Sequence, residues 1–307
     1  MSPKFNPQEY TPRVTGAPLT RDFRIYLSLG DKMISPWHDI PLFADERESV
    51  LNMVVEIPRW ENVKLEIAKD EFLTPLRQDI IDDKLRIIPN IFPHKGYPWN
   101  YGSLPQTYSD PSHVHPLTSL PGDSAPLNVC ELAGEVDKPG QIKQVKALGA
   151  FAVLENGKTD WKIVVVDIQN PISEKINGMS DIEKHMPGYV ETMLEWFRVY
   201  KIPDHGETGR NEIGMGGRIE GREFTHDLLK ASHKSWKKVL TEPTMETKVS
   251  MADVRIEDNN LAAQIPKQPK DEAAQKAIFD SSMANKCHYI TPNWPITAQC
   301  PERAMEV

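Results

Sequence analysis

The sequence predicts a mainly β fold in which helices follow the strands, and three stretches carry this prediction. Residues 23–29 alternate between apolar and polar side chains, as a half-buried strand does. Residues 141–154 and 162–168 are long apolar runs separated by Asn156-Gly157, a dipeptide typical of a tight hairpin turn. From about residue 180 the apolar positions recur every three to four residues, which is the period of a helix.

Further strands are predicted before the long hairpin, and they carry polar residues. Residues 52–60 form a predicted buried strand, and residues 64–67 are predicted as its hairpin partner. Lys64 and Glu66 lie two positions apart on that partner, so they share one face of it. Residues 84–88, which include Arg86, are another short predicted strand. A polar face of this kind either lines a site or is solvated at a sheet edge, and the pattern alone leaves both alternatives open.

The later part of the chain contains two predicted helices. Ser180 to Glu183 has the form of a capping box, and Pro187 is predicted to open a longer helix that ends before Pro203. A second helix is predicted over roughly 223–240. Proline-rich segments flank this region at both ends of the chain. We therefore expect an N-terminal arm (1–20), one domain (21–240) and an extended C-terminal tail packed on that domain (241–307).

Composition excludes several classes of function. The 307 residues carry a formal net charge of −8, which argues against a nucleic-acid surface and suits a site that concentrates divalent cations. No apolar run approaches the roughly 18 residues that a membrane span needs, and the N-terminus lacks the apolar stretch of a secretory signal. We predict a cytoplasmic protein that binds neither nucleic acid nor membrane, with a mitochondrial address left open. The cysteines are too few and scattered for a disulfide framework or a zinc site: Cys130, Cys287 and Cys300.

One stretch, residues 120–131, carries most of the functional information. It reads Leu-Pro-Gly-Asp-Ser-Ala-Pro-Leu-Asn-Val-Cys-Glu. It resembles the signature of family I soluble inorganic pyrophosphatases, Asp-x-Asp-Pro-φ-Asp-φ, in which φ is apolar. The resemblance is closest to the eukaryotic, fungal-type enzymes. It extends over about residues 20–240 and includes residues 38–42, 52–60, 64–67, 92–101, 140–149, 159–162 and 196–203.

This resemblance implies a fold, a reaction and a set of site residues. The fold is a five-stranded, OB-like β-barrel with helices packed outside, and the reaction is Mg²⁺-dependent hydrolysis of diphosphate, a small anionic substrate. The family is usually dimeric in eukaryotes, and Trp60 matches a position at the dimer contact, so a homodimer is expected. The residues that match phosphoryl-gripping groups are Lys64, Arg86, Lys162, Tyr101, Tyr200 and Lys201. Those that match metal-site positions are Asp123, Asp160, Glu155, Glu66, Glu56 and Asn128. Tyr97 matches the tyrosine beside the attacking water, and we predict it to be catalytic together with Lys64 and Arg86.

Three positions depart from the family pattern. Ala125 replaces the aspartate that accepts a proton from the attacking water, and Asn128 replaces an aspartate that ligates the metals activating this water. Glu155 replaces an aspartate at an outer metal site. Loss of a general base alone typically costs on the order of 10²–10⁴ in rate. We therefore expect weakened pyrophosphate hydrolysis and incomplete occupancy of the Mg²⁺ sites.

Three interpretations of this pattern stay open. The chain is a weakened diphosphate hydrolase, a repurposed enzyme that acts on an organic diphosphate or another anionic metabolite, or a pseudoenzyme that serves as a binding subunit. The retained lysines, arginine and tyrosines argue against a pure scaffold, because a fold kept only for its surface has no need of so many inward-facing cations. They do not separate the first two interpretations.

Overall fold

The structure is a computed structural model that describes residues 5–47, 49–132, 134–241 and 284–290. The strands within these ranges are β1 (Tyr10–Thr15), β2 (Arg24–Leu29), β3 (Lys32–Ile34), β4 (Phe43–Asp45), β5 (Val50–Ile57), β6 (Leu65–Ile67), β7 (Leu76–Gln78), β8 (Ile80–Ile81), β9 (Lys84–Leu85), β10 (Asn90–Ile91), β11 (Asn100–Ser103), β12 (Asn128–Leu132), β13 (Ile142–Glu155), β14 (Lys158–Asp167), β15 (Glu212–Ile213) and β16 (Cys287–His288). The α-helices are α1 (Met179–His185), α2 (Tyr189–Val199), α3 (Ile202–His205), α4 (Gly214–Gly217) and α5 (Arg222–Thr241). None of these described helices has the length and apolar character needed to cross a membrane.

Five strands close into a barrel. β13 pairs antiparallel with β14, β14 parallel with β12, and β12 antiparallel with β11. β11 then pairs antiparallel with β5, and β5 pairs antiparallel with β13, which completes the ring. β4 adds to β5 and β15 adds to β13. The predicted five-stranded, OB-like barrel is thus confirmed.

The long hairpin of β13 and β14 forms as its sequence predicts. Asn156 and Gly157 at its tip have φ values of 50° and 72°, the left-handed values that a tight hairpin turn requires. The strand register shifts between Ala147 and Gly149. A Cβ atom on Gly149 would approach the carbonyl oxygen of Glu220 to 2.7 Å, so the close packing at this bulge requires glycine. The hairpin holds Glu155 and Asp160 near its tip, at the same end of the barrel.

A second sheet lies beside the barrel, and its strand pairing differs from the predicted pairing of residues 64–67 with β5. β2 pairs with β1, β3 and β7, and β7 pairs with β6. The prediction that residues 64–67 form a hairpin with β5 is wrong, because the two edges of β5 are already taken by barrel strands and by β4. Residues 10–15, which fall within the predicted arm, form β1 and pair with β2 along their whole length.

The helices cover opposite faces of the barrel strands. Val164 and Val166 of β14 pack in a cluster with side chains of α2, whereas Ile163 and Val165 pack in a cluster that includes Leu229 of α5. α2 and α5 confirm the two predicted helices within two residues. The predicted capping box of α1 is wrong: the helix begins after Gly178, and no side chain caps it.

The described part of the C-terminal region returns to the domain. β16 pairs parallel with β10. The amide nitrogen Nδ2 of Asn90 donates to the carbonyl oxygens of Ala284 (2.7 Å) and Lys286 (3.1 Å). The N–H of Phe92 donates to the carbonyl of His288 at 2.8 Å. The remainder of the predicted tail, 242–283 and 291–307, lies outside the described residues.

Candidate active site

A cavity of about 450 Å³ lies where several barrel strands begin or end, and we call it the anion cavity. Glu56 lies near the end of β5, Tyr101 near the start of β11, and Asn128 at the start of β12. Every site residue that the sequence analysis named lines this cavity: Glu56, Lys64, Glu66, Arg86, Tyr97, Tyr101, Asp123, Asn128, Glu155, Asp160, Lys162, Tyr200 and Lys201. Ala125 lines it as well.

Lys162 is the most enclosed cation of the anion cavity, with 3% of its surface exposed. Its Nζ donates to the phenol oxygen of Tyr101 (2.7 Å), to Oδ1 of Asn128 (3.0 Å) and to Oδ2 of Asp160 (2.5 Å). Lys162 and Asp160 share one face of β14, as their spacing requires. Asn128 therefore bonds through a neutral amide oxygen to Lys162, one of the lysines predicted to grip the substrate.

Lys64 and Arg86 share one carboxylate, Asp79. Oδ2 of Asp79 lies 3.1 Å from Nζ of Lys64 and 3.1 Å from Nη1 of Arg86, and Lys64 also lies 3.3 Å from Glu66. Burial would raise the pKa of Asp79, but Lys64 and then Arg86 outweigh burial and hold this pKa below its usual value. Asp79 thus fixes two of the predicted catalytic cations. The sequence analysis missed it, because it lies between two short strands outside any recognised motif.

Lys201 and Glu155 form the third charged contact of the cavity. Burial raises the pKa of Glu155, but the hydrogen bond from Lys201 outweighs this and lowers the pKa overall. Glu155 therefore stays ionised and is paired with a cation. Glu155, which we predicted to replace an aspartate of the family, thus reaches Lys201 of the predicted substrate-binding set.

The three tyrosines of the cavity are buried phenols. Burial raises the pKa of Tyr97 to about 12 despite the nearby Lys64 and Arg86, and it raises the pKa values of Tyr101 and Tyr200 well above the usual value of a phenol. The rings of Tyr97 and Tyr101 lie 4.8 Å apart, and Trp196 stacks on Tyr200 at 4.6 Å. These phenols are protonated at neutral pH, so they offer O–H donors on a packed aromatic base.

Two carboxyl groups of the cavity, those of Asp123 and Glu56, have raised pKa values. Burial first, and then repulsion from Asp160, raise the pKa of Asp123 to about 6. Oδ1 of Asp123 accepts the N–H of Ala125 at 3.1 Å, while Ala125 itself contributes only a methyl group. Burial also raises the pKa of Glu56 to about 7. Asp123 and Glu56 thus ionise less readily than exposed carboxyl groups do.

Lys69 and Arg77 also line the anion cavity, and no sequence motif predicted their presence there. Nζ of Lys69 contacts the carbonyl oxygen of Ser124 within the signature loop, and Arg77 pairs with Glu66 at 3.2 Å. With them, the described residues that line the anion cavity include seven lysines and arginines against five aspartates and glutamates. Aspartates at positions 125 and 128 would equalise the two numbers. The substitutions therefore leave the lining with an excess of positive charge, which favours an anion.

Two carboxylates of the anion cavity, those of Asp123 and Asp160, are the candidates for contact with a hard cation. Within the described residues, no three His, Cys, Asp or Glu side chains form a group that could hold a metal ion. Burial raises the pKa of Asp123, repulsion from Asp160 adds to this, and a divalent cation between the two carboxylates would relieve that repulsion. Positions 125 and 128 offer a methyl group and an amide already bonded to Lys162, so that part of the site lacks anionic ligands.

Comparisons with known proteins show the family of this chain. The family model described as inorganic pyrophosphatase matches residues 53–237. The inorganic pyrophosphatase of Neurospora crassa is 42% identical over 278 residues, which cover 90% of this chain and 95% of that protein. That of Schizosaccharomyces pombe is 42% identical and covers 92% of this chain and 98% of its own. The solved structure of inorganic pyrophosphatase from Schistosoma japonicum, 32% identical, covers 91% of this chain and all of that one with a TM-score of 0.82. The chain belongs to the inorganic pyrophosphatase family.

Proposed function

We propose that the anion cavity binds diphosphate and hydrolyses it slowly, as a weakened form of the family's reaction. The observation that carries the proposal is the pairing of Lys162 with Asn128 and Asp160. This pairing keeps the Lys162 cation in the site, although Asn128 carries no charge and Ala125 has no polar group. A site of this composition retains affinity for an anion and loses the means of activating water.

The residues divide into those that grip the substrate and those that serve the attacking water. Lys64 and Arg86, fixed by Asp79, and Lys162 and Lys201 supply the positive charge for two phosphoryl groups. Tyr101 and Tyr200 add neutral O–H donors, and Tyr97 is the phenol assigned to the water. Position 125 has no group that can take the proton from this water. A rate lower by on the order of 10²–10⁴ follows from that loss alone.

We assign Mg²⁺ to the pair Asp123 and Asp160, because these are the two carboxylates whose repulsion a cation would relieve. Glu56, Glu66, Glu155 and Asn128 complete the family's metal positions by resemblance. Mg²⁺ held there would neutralise phosphoryl charge and lower the pKa of a bound water. Since Asn128 is neutral and Ala125 is not a ligand, we expect fewer ions to bind than at a complete signature.

Restoring the signature tests this proposal. We expect the double variant A125D/N128D to release phosphate from magnesium pyrophosphate on the order of 10²-fold faster than the unmodified chain. A125N/N128D is the matched control, because it restores one charge and a polar side chain but no proton acceptor at position 125. If the unmodified chain already hydrolyses pyrophosphate at a rate that A125D/N128D does not improve, the proposal is wrong.

A second candidate substrate is an organic diphosphate, and the small side chain of Ala125 beside Pro126 favours it. Both residues line the anion cavity, and together they form a less acidic wall than the family signature provides. Calorimetry with ADP and with pyrophosphate, each with and without Mg²⁺, compares the two. Tighter binding of ADP, with metal dispensable, supports repurposing. Tight binding of pyrophosphate with no turnover by either the unmodified chain or A125D/N128D supports a binding subunit.

We also propose that the chain forms a homodimer through an apolar patch around Trp60. Trp60, Phe92 and Tyr289 are 52%, 61% and 66% exposed, and the rings of Phe92 and Tyr289 lie 6.1 Å apart. Light scattering should give a dimer for the unmodified chain and a monomer for Trp60→Glu. Val114→Glu, at an exposed apolar residue elsewhere, should leave the dimer intact. A dimer that survives Trp60→Glu would exclude this patch.

We keep the cytoplasmic location and the division into an arm (1–20), a pyrophosphatase-like domain (21–240) and a tail (241–307) as proposals. The pairing of β16 with β10 supports the packing of the tail on the domain. Fractionation of cells that express the tagged full chain tests the location, and enrichment in mitochondria would contradict it.

A further inference from the structure

A second cavity, of about 310 Å³, lies between the signature loop and α5, and we call it the α5 cavity. Ser109, Gly122 and Leu127 line its loop side, and Phe224, Leu228 and Ser232 line its helix side. None of the described residues that line it also lines the anion cavity. It is therefore a separate site, to which the pyrophosphatase reaction assigns no role.

Three rings form one wall of the α5 cavity. The ring centroids of His115 and Trp161 lie 4.9 Å apart, those of Trp161 and Phe224 lie 5.5 Å apart, and those of His115 and Phe224 lie 6.2 Å apart. The ring planes are inclined to one another by 49° to 77°, so the rings pack against one another as a tilted and edge-to-face cluster. Aromatic faces carry partial negative charge, and a wall of this kind attracts ammonium groups.

The charged residues that line the α5 cavity also favour a cationic ligand. Asp110 and Asp227 line the α5 cavity, and its described lining includes no lysine or arginine. Burial lowers the pKa of His115, which keeps that ring neutral at neutral pH. Asp110 already accepts the N–H and the hydroxyl of Ser112, at 2.8 Å and 2.6 Å. Asp227 makes no hydrogen bond or ion pair to any other described residue, so its carboxylate is available to a ligand.

The α5 cavity and the anion cavity share one layer of backbone. The N–H of Ser109 donates to the carbonyl of Ala125 at 2.9 Å, and the N–H of Ser124 donates to the carbonyl of Ser109 at 2.9 Å. Thr159, which also lines the α5 cavity, precedes Asp160 of the anion cavity. A ligand in the α5 cavity would thus contact residues that hold the signature loop in position.

We propose that the α5 cavity is a binding site for a small organic cation of the alkylammonium class. His115, Trp161 and Phe224 face its alkyl groups, and Asp227 balances its charge. The two carboxylates disfavour an anionic ligand, and they attract a cationic ligand more strongly than a neutral one. The site is therefore opposite in charge preference to the anion cavity on the other side of the signature loop.

Choline and its neutral isostere 3,3-dimethyl-1-butanol test the proposal on the full chain. We expect calorimetry and saturation-transfer NMR to detect choline with an affinity on the order of millimolar, and to detect the isostere more weakly or not at all. Asp227→Asn should weaken choline binding at least threefold. The matched control is Glu223→Gln, on an exposed neighbouring position of α5 that does not line the cavity, and it should leave the affinity unchanged.

Phe224→Leu removes the aromatic face and keeps an apolar side chain, so it should also weaken choline binding at least threefold. Because Phe224 is half-buried, the thermal stability of Phe224→Leu is measured alongside its choline binding. If Phe224→Leu does not fold, the test rests on Asp227→Asn, which changes an exposed residue. Absence of choline binding, equal binding of the two isosteres, or equal effects of Asp227→Asn and Glu223→Gln would each overturn the proposal. The measurement is of binding alone, so its outcome is independent of whether the chain hydrolyses pyrophosphate.

Discussion

The cationic side of the anion cavity and the signature loop on its other side differ in which residues pair with their charged groups. Lys64 and Arg86 are paired with Asp79, and Lys201 is paired with Glu155, so none of these cations depends on the signature loop. On the other side, the loop retains Asp123, whose pKa is raised by burial and by Asp160. Uncharged side chains at positions 125 and 128 are therefore compatible with Lys64, Arg86 and Lys201, because these three cations are paired elsewhere. We call these three cations the proposed substrate wall.

The largest expected effect comes from removing a cation of the substrate wall. Arg86→Ala should weaken diphosphate binding on the order of 10²-fold, since it removes a charged partner from a largely enclosed site. Calorimetry with pyrophosphate measures this change. Lys158→Ala is the control, because Lys158 lines the same cavity but is exposed. Equal losses for the two variants would show that the wall acts only through total charge.

A smaller effect is expected from neutralising the loop side. The pKa of Asp123 is raised in the folded protein, so ionisation of this group destabilises the fold. The destabilisation is absent below the unfolded-state pKa and is fully present above about pH 6. Asp123→Asn should therefore raise the free energy of unfolding by roughly 2–3 kcal/mol near pH 8 without metal, and by little near pH 4. Urea unfolding at both pH values measures this. Mg²⁺ should reduce the gain near pH 8, and an equal gain at both pH values would contradict the assignment.

The smallest expected effect comes from removing the charge of Asp79, which pairs with Lys64 and Arg86 of the substrate wall. The pKa of Asp79 is lowered overall by Lys64 and Arg86, so its ion pairs contribute stability above the unfolded-state pKa of about 4, and this stability is lost as pH falls through the folded-state pKa. Asp79→Asn should lower the free energy of unfolding near pH 7 by about 1–2 kcal/mol, with the loss shrinking as the pH falls below about 4. It should also weaken diphosphate binding severalfold.

The control for Asp79→Asn is Asp31→Asn, at an exposed turn after β2. Urea unfolding at several pH values and calorimetry with pyrophosphate compare the two variants. A stability loss for Asp79→Asn that is independent of pH would indicate a packing defect instead of lost ion pairs.

The barrel and most of the site could be predicted from the sequence because local patterns carry them. Alternation and the Asn156-Gly157 turn predict the hairpin, and the signature fixes Asp123, Ala125 and Asn128. The pairing of β6 could not be predicted, since adjacency in the chain favoured β5 while the barrel had already used both edges of that strand. Asp79 was missed because a carboxylate between two short strands has no periodic signal, and its partners are defined only by the fold.

The attachment of β16 to β10 has a consequence for how the protein is made. The side chain of Asn90 bonds to carbonyl groups 194 and 196 positions further along the chain. At about 5–20 residues per second, a ribosome needs on the order of 10–40 s to synthesise that interval. Until residues 284–286 have left the exit tunnel, the side-chain N–H groups of Asn90 can only bond to water or to other partners, so this edge of the domain closes late in translation.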